Sequence, residues 1–129
     1  MSKVLDDLKY TKEHEWVKVK DDGNVIVGIT DYAQSALGDV VFVEPPEEGA
    51  QVEAGATVST IESVKAVSDI YSPIAGTIVE ANGGLEGDPA IVNKEPYDNG
   101  WLFVIQPENA GDIDGLMSAK DYSDFVATL

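Results

Sequence analysis

The sequence contains no cysteine and no arginine, and it has a single histidine. Without cysteine the chain forms no disulfide, offers no thiol nucleophile and builds no thiolate metal site. A lone histidine has no histidine partner for a metal site, so we interpret His14 as a structural or docking residue and predict no metal site. Any sulfur redox chemistry in this protein therefore has to reside on an attached cofactor.

Basic side chains are scarce and long apolar runs are absent. Eight lysines face 24 acidic residues, for a formal net charge of −16. Such a surface repels phosphates, which argues against nucleic acid and anionic membranes as partners. The acidic charge then serves either docking onto basic proteins or the solubility of the chain.

No run of about 18 apolar residues could span a bilayer, and residues 1–9 lack the features of a secretory signal. We expect a cytoplasmic protein, or one of the mitochondrial matrix if the sequence is a processed form.

Short strands separated by glycine and proline turns dominate the 129 residues, a length suited to one domain. A two-turn helix is predicted between Thr30 and Gly38. Apolar residues at helical spacing predict one or two short helices over 110–129, with Ser118 as an N-cap. This pattern is typical of a sandwich or a barrel-like sandwich. The predicted strands are 16–20, 25–30, 40–43, 57–62, 67–71, 76–81 and 101–105.

A single lysine lies in the tight connection between two of these predicted strands. Its neighbours Ser63, Val64 and Ala66 are small or branched, so no bulky side chain shields the Lys65 amine. A hairpin apex presents one ε-amine to an acylating enzyme at the end of a stiff two-stranded ladder. By position alone such a lysine is more often an ordinary solvated side chain. A Schiff-base role is disfavoured, because it requires burial in an apolar pocket.

The segment Glu-Ser-Val-Lys-Ala around Lys65 resembles the modification hairpin of lipoyl carriers, and most closely that of the glycine cleavage H-protein family. The resemblance covers nearly the whole chain in the right order and spacing. It implies a mainly β barrel-sandwich hybrid with short helices, in which residues 1–129 form one lipoyl-carrier domain with a core at about 16–106 and a helical tail at about 110–129. The matching blocks lie at 10–17, 28–34, 37–43, 62–66, 72–76, 92–97 and 100–102.

The resemblance implies a non-catalytic carrier with lipoic acid joined to Lys65 by an amide. In the family, a pyridoxal-phosphate glycine decarboxylase (P protein) loads the aminomethyl group of glycine onto one sulfur of the arm. An aminomethyltransferase (T protein) then removes the group, and dihydrolipoyl dehydrogenase (L protein) reoxidises the dithiol. A lipoyl-attachment enzyme is a further implied partner. The lysine stem and the acyl chain together would reach on the order of 14 Å.

The resemblance also implies a surface cleft that shelters the loaded arm. By position, the matching residues are Glu15, Ile29, Leu37 and Asp69. The carboxylates of Glu15 and Asp69 would hold a cationic aminomethyl group, or they are simply two of the 24 solvated acids. The apolar Ile29 and Leu37 would exclude water. Ala36 stands where some relatives have a polar cleft residue, which predicts a cleft that differs in detail.

Other functions remain open beside a glycine-cleavage carrier. An H-like lipoyl carrier for lipoate relay or another pathway needs the same hairpin. An unmodified acidic interaction domain would keep the fold without the arm. A biotin carrier is disfavoured, because that family typically flanks its lysine with methionine, whereas Val64 and Ala66 flank Lys65. Lipoyl domains of 2-oxoacid dehydrogenases typically have aspartate before the lysine and lack the helical tail.

Overall fold

The computed structural model describes residues 3–129. Within that range the chain forms nine strands, four short α-helices and one 3₁₀-helix. The helices are α1 (Asp31–Leu37), α2 (Gly84–Gly87), α3 (Ile91–Lys94) and α4 (Ala119–Val126), with the 3₁₀-helix at Ala110–Gly115. The strands are β1 (Lys9–Tyr10), β2 (Glu15–Val19), β3 (Val25–Ile29), β4 (Val40–Val43), β5 (Gln51–Val52), β6 (Thr57–Ser63), β7 (Val67–Tyr71), β8 (Gly76–Ala81) and β9 (Phe103–Pro107).

The strands form two antiparallel sheets. One has six strands in the order β1-β2-β3-β9-β8-β5, and the other has three in the order β4-β6-β7. The predicted strands 16–20 and 25–30 appear as β2 and β3 and form an antiparallel hairpin, with Val17 opposite Val27. Gly23 adopts a φ of 88° in its turn, a conformation that favours glycine. The mainly β architecture expected from the strand pattern is therefore confirmed.

Side chains from the two sheets share one buried apolar core. Because successive side chains of a strand point to opposite faces, alternate residues of each strand enter this core. Full burial of one valine or isoleucine side chain contributes about 1.5–3 kcal/mol to the stability of the fold. Ile61 of β6 and Ile70 of β7 belong to the core and anchor the β6–β7 hairpin, so the apex projects from a fixed platform. The fully buried members of the core include Val17, Val25, Val27, Ile29, Ile61, Ile74, Ile78, Phe103 and Ile105.

The C-terminal helix packs on a second, aromatic cluster at the edge of the large sheet. The rings of Tyr10 and Tyr122 stack with centroids 4.6 Å apart, and the indole N–H of Trp16 donates to the carbonyl of Pro96 at 2.8 Å. Ser118 caps α4 by accepting from the amide of Asp121, so the predicted cap is confirmed. Among residues 3–129, no helix has both the length and the apolar character needed to cross a membrane.

Candidate functional site

The apex that joins β6 to β7 is a short turn closed twice by one serine. The backbone amide of Ser63 donates to the carbonyl of Ala66 at 2.8 Å, and its hydroxyl oxygen accepts from the amide of Ala66 at 3.0 Å. The amide of Val64 donates to the carbonyl of Asp39 at 3.0 Å and ties the apex to the segment between α1 and β4. The backbone of the apex is thus fixed, while Lys65 itself is exposed.

The Lys65 side chain lies against the glycine that ends α1. A Cβ placed on Gly38 would lie 3.4 Å from Cε of Lys65, and Gly38 has a φ of 76°, which favours glycine. Asn93 of α3 holds this corner through both ends of its amide. It donates to the carbonyl of Gly38 at 2.8 Å and accepts from the amide of Val40 at 2.9 Å. The amine therefore emerges beside the C-terminal end of α1.

A cleft of about 180 Å³ runs beside α1 and β7. Ile29 and Leu37, which the family resemblance assigns to a cleft, both line it. Leu37 is followed directly by Gly38, the residue that contacts Lys65, so one end of the cleft lies next to the lysine. We name this site the arm cleft; its lining is Glu13, His14, Ile29, Tyr32, Ala33, Ala36, Leu37, Ser68 and Ile70.

Glu15 is absent from the lining of the arm cleft and is only 1% exposed. One of its carboxylate oxygens accepts from the hydroxyl of Thr11 at 3.0 Å, and the other accepts from the amide of Tyr71 at 2.9 Å. Burial raises the pKa of Glu15 to about 7, and these two hydrogen bonds oppose the rise. The carboxylate lies at a neighbouring cleft of about 510 Å³, which Leu116 and Met117 also line. Both oxygens of Glu15 are thus already engaged within the fold.

Asp69 lies on the outer face of the three-stranded sheet. Its neighbours in β7, Ser68 and Ile70, line the arm cleft, and successive side chains of a strand point to opposite faces. The exposed carboxylate accepts a long hydrogen bond of 3.4 Å from the hydroxyl of Thr60 on β6. The structure therefore brings Ile29 and Leu37 together, but it places neither Glu15 nor Asp69 in the lining of the same cleft.

Two cleft residues that sequence reasoning did not assign are Glu13 and His14. Glu13 lines both the arm cleft and the neighbouring one. His14 has a φ of 67°, the one positive value outside glycine in residues 3–129. Its Nδ1 is 2.8 Å from the hydroxyl of Tyr122, and its ring contacts the ring of Tyr32 with centroids 4.7 Å apart. Burial lowers the pKa of His14, so the ring in the cleft wall is neutral near pH 7.

Comparison with known proteins gives one consistent family. The sequence profile of the family described as Glycine cleavage H-protein matches residues 8–129. A glycine cleavage system H protein of Halorhodospira halophila is 53% identical over 127 residues, covering 98% of each chain. One of Teredinibacter turnerae is 52% identical over 122 residues, covering 95% of this chain and 94% of that protein.

A solved structure is similar in fold as well. The crystal structure of a glycine cleavage system H protein from Mycobacterium marinum superposes with a TM-score of 0.88 at 40% sequence identity, covering 96% of this chain and 99% of that chain. The barrel-sandwich hybrid expected from the sequence is thus confirmed, as two packed sheets rather than a closed barrel. The chain belongs to the glycine cleavage H-protein family, and it is a lipoyl-carrier subunit that is not catalytic by itself.

Proposed function

We propose that this chain carries the aminomethyl group of glycine from glycine decarboxylase to aminomethyltransferase, with lipoic acid attached to Lys65, and that dihydrolipoyl dehydrogenase then reoxidises the carrier. Membership of the H-protein family supports the pathway. The observation that carries the assignment is the position of Lys65 on the rigid apex, next to the arm cleft. Residues 1–129 act as one carrier domain, and the bacterial origin of the relatives named above supports a cytoplasmic location.

The surroundings of Lys65 suit attachment of an acyl group. Within residues 3–129, no carboxylate lies within 4.0 Å of its amine, so acylation breaks no ion pair. The apex turn keeps its backbone hydrogen bonds whether or not the side chain is modified, because Ser63 and Ala66 form them. Acylation of Lys65 should therefore change the free energy of unfolding little.

The arm cleft suits the length and the polarity of a lipoyl arm. The strand β7 advances about 10 Å from Val67 to Ile70 at roughly 3.3 Å per residue, and an acylated lysine reaches roughly 14 Å. Ile29, Leu37 and Ile70 provide apolar walls that would contact the acyl chain and exclude water from it. When bound, the lipoyl group supplies a cyclic disulfide that accepts the aminomethyl group and, as a dithiol, gives up two electrons.

Glu13 is the residue best placed to hold a cation in the arm cleft. It is the one carboxylate in the cleft lining, among residues 3–129. A carboxylate beside an amine stabilises the protonated form of that amine, so Glu13 would hold a proton on an amine nitrogen that enters the cleft. The family resemblance implies this role for Glu15, which lies at the neighbouring cleft that Glu13 also lines and whose oxygens accept from Thr11 and Tyr71.

The pathway is tested by glycine-dependent exchange of carbon dioxide with a purified glycine decarboxylase. The lipoylated protein should support exchange, while the unlipoylated protein and the Lys65→Arg variant should not. Lipoylated protein that supports no exchange, although the decarboxylase works with an authentic H protein, would assign the carrier to another pathway or to lipoate relay. Exchange supported by Lys65→Arg would overturn the attachment site.

A further inference from the structure

Three apolar side chains beside the apex face solvent. Val64 is 69% exposed, Val67 is 66% exposed and Phe42 is 47% exposed. The register pairs Phe42 of β4 with Glu62 of β6, and Glu62 in turn with Val67 of β7. Directly opposed residues lie on the same face of a sheet, so this row lies on the outer face, with Val64 next to it in the apex turn. We name Phe42, Val64 and Val67 the apical patch.

The apical patch contributes little to the fold, since more than two-fifths of each side chain remains in water. Single exposed apolar residues are common on protein surfaces, but a group of them more often marks an interaction site. Val79 of β8 serves as a comparison, because it is 41% exposed and lies on the other sheet. What distinguishes the apical patch is that Val64 and Val67 lie within two residues of Lys65, with Phe42 on the same face two strands away.

Acidic side chains lie within and beside the patch. Glu62 lies between Phe42 and Val67 in the cross-strand row, and Asp69 is two residues beyond Val67 on the same face. Lys65 is the one basic residue between positions 40 and 71. A complementary surface would therefore be apolar and would carry basic side chains opposite Glu62 and Asp69. The acidic residues between positions 40 and 71 are Glu44, Glu47, Glu48, Glu53, Glu62 and Asp69.

We propose that the apical patch is the docking surface for the enzyme that acylates Lys65, and that this enzyme binds it with an apolar surface that carries basic side chains. The proposal rests on the proposed function and adds the surface that the attachment enzyme recognises. The position of the patch selects this occupant. An acylating enzyme must bring its acyl carbon to the lysine nitrogen, about 6 Å from the backbone, so it has to contact the flanks of the apex. Enzymes that act on the end of the completed arm work roughly 14 Å away and have no such need.

The reaction at the docked apex is an ordinary acyl transfer. The Lys65 nitrogen, having lost one proton, attacks the carbonyl carbon of an activated acyl donor, an acyl-adenylate or a thioester. A C–N bond forms and the bond to the leaving group breaks, so that the leaving group departs with the bonding electron pair. The nitrogen then releases a second proton and remains as a neutral amide N–H. The reaction thereby removes the positive charge of the single basic residue between positions 40 and 71. The net charge of this segment becomes more negative by one.

The test compares acylation rates of surface variants of the unmodified protein. Phe42→Ser and Val67→Ser remove two members of the patch, and Val79→Ser is the matched control. With a purified lipoate ligase, lipoate and ATP, the initial rate of mass gain is followed at several carrier concentrations. Phe42→Ser and Val67→Ser should each lower kcat/KM about tenfold, as is typical of interface anchors, mainly through KM. Val79→Ser should stay within about twofold of the starting protein.

A second measurement separates docking from damage to the apex. Reaction of the free amine with a small activated acetyl ester needs no docking, so Phe42→Ser and Val67→Ser should acetylate Lys65 at the starting rate, as judged by peptide mass mapping. Slower acetylation in these variants would mean a distorted apex and would overturn the proposal. For the starting protein, added salt should raise the KM of the ligase reaction, because the acidic Glu62 and Asp69 lie within and beside the patch.

The other outcomes are also decisive. Ligase rates unchanged in Phe42→Ser and Val67→Ser, or lowered equally in Val79→Ser, would overturn the docking role and leave the proposed function intact. Unchanged ligase rates with slower exchange of carbon dioxide by glycine decarboxylase would assign the patch to that enzyme instead and overturn the proposal. If Lys65 of the starting protein is not acylated at all, the proposed function fails, and that result cannot be confused with the others.

Discussion

The buried carboxylate of Glu15 accepts a hydrogen bond from the backbone amide of Tyr71 at 2.9 Å, across 56 residues of sequence. Glu15 begins β2 in the large sheet, and Tyr71 ends β7, the second strand of the hairpin that carries Lys65. The contact therefore fixes the base of the hairpin to the other sheet. It contributes to the rigidity of the platform from which the lysine projects.

Burial of Glu15 predicts a stability that falls as pH rises. Its pKa is raised from 4.5 to about 7 in the folded protein, so between these values the folded chain binds a proton that the unfolded chain has released. The stabilisation present below pH 4.5 is lost as pH rises through 7. Glu15→Gln resembles the protonated form and serves as the reference. The free energy of unfolding of the starting protein, relative to that of Glu15→Gln at the same pH, should fall by on the order of 3 kcal/mol between pH 4.5 and pH 8. Urea unfolding across this range measures the difference.

The matched control for this experiment is Glu80→Gln, which removes one negative charge from an exposed position of β8. A difference between the starting protein and Glu15→Gln that is the same at every pH would contradict the account. So would a difference that grows in favour of the starting protein as pH rises, because that sign requires a lowered pKa.

Glu13→Gln should speed loss of the aminomethyl group from the loaded carrier. The carboxylate lines the arm cleft, and a charge-assisted hydrogen bond is about twice as strong as a neutral one. We expect release of formaldehyde and ammonia to rise on the order of tenfold, for about 1.4 kcal/mol of lost stabilisation. The control is Glu86→Gln, an exposed acid on α2. A release rate that Glu13→Gln leaves unchanged would remove Glu13 from the cleft chemistry.

Gly38→Ala should destabilise the protein and place a methyl group against the Lys65 side chain. A φ of 76° with a ψ of −158° is a region open almost only to glycine, so alanine there costs about 1–3 kcal/mol, and the new methyl would lie 3.4 Å from Cε of Lys65. Both a lower unfolding midpoint and slower acylation by a lipoate ligase are expected. Gly87→Ala is the control, since a methyl group there would meet no atom within 4 Å and the φ of Gly87 is not positive. Equal effects of the two substitutions would contradict the special geometry at Gly38.

Tyr122→Phe should loosen the contact between α4 and the arm cleft. The Tyr122 hydroxyl lies 2.7 Å from the hydroxyl of Thr30, the N-cap of α1, and 2.8 Å from Nδ1 of His14. Without the Tyr122 hydroxyl, Nδ1 of the half-buried His14 loses its partner, while Thr30 still accepts from the amide of Ala33, and we expect the free energy of unfolding to drop by about 1–2 kcal/mol. Tyr32→Phe is the control, because the Tyr32 hydroxyl makes no hydrogen bond to any residue from 3 to 129. A drop that is no larger than that of Tyr32→Phe would refute the linking role.

The fold was predictable wherever a strand or helix was long enough to show the periodic spacing of apolar residues that is typical of it. The strands at 25–29, 40–43, 67–71 and 76–81 agree with the predictions to within one residue. The strands β1 and β5 have two residues each and the helices α2 and α3 have four, which is too short for any period to appear. The last strand begins at Phe103 rather than at residue 101, where the Asn82 side chain bonds the carbonyl of Trp101.

The candidate site was predictable in part, for reasons that lie in the backbone. The family resemblance indicated Lys65, since its position in a hairpin alone favours an ordinary solvated lysine, and apolar type together with the resemblance indicated Ile29 and Leu37. The positive φ of His14 breaks the alternation of side chains at the start of β2, so the sequence could not show that Glu13 lines the arm cleft while the buried Glu15 lies at the neighbouring one. The orientation of Asp69 could have been read from the strand pattern. Successive side chains of a strand point to opposite faces, so the buried neighbour Ile70 implies that Asp69 points outward.

The central claim is that Lys65 receives the lipoyl group, and intact mass spectrometry tests it most directly. After incubation with lipoate, ATP and a lipoate ligase, the starting protein should gain the mass of one lipoyl group, and peptide mapping should place it on Lys65. Lys18→Arg, at an exposed position of β2, should gain the same mass, and Lys65→Arg should gain none. A lipoyl group that still appears on Lys65→Arg, or that never appears on the starting protein, would contradict the account.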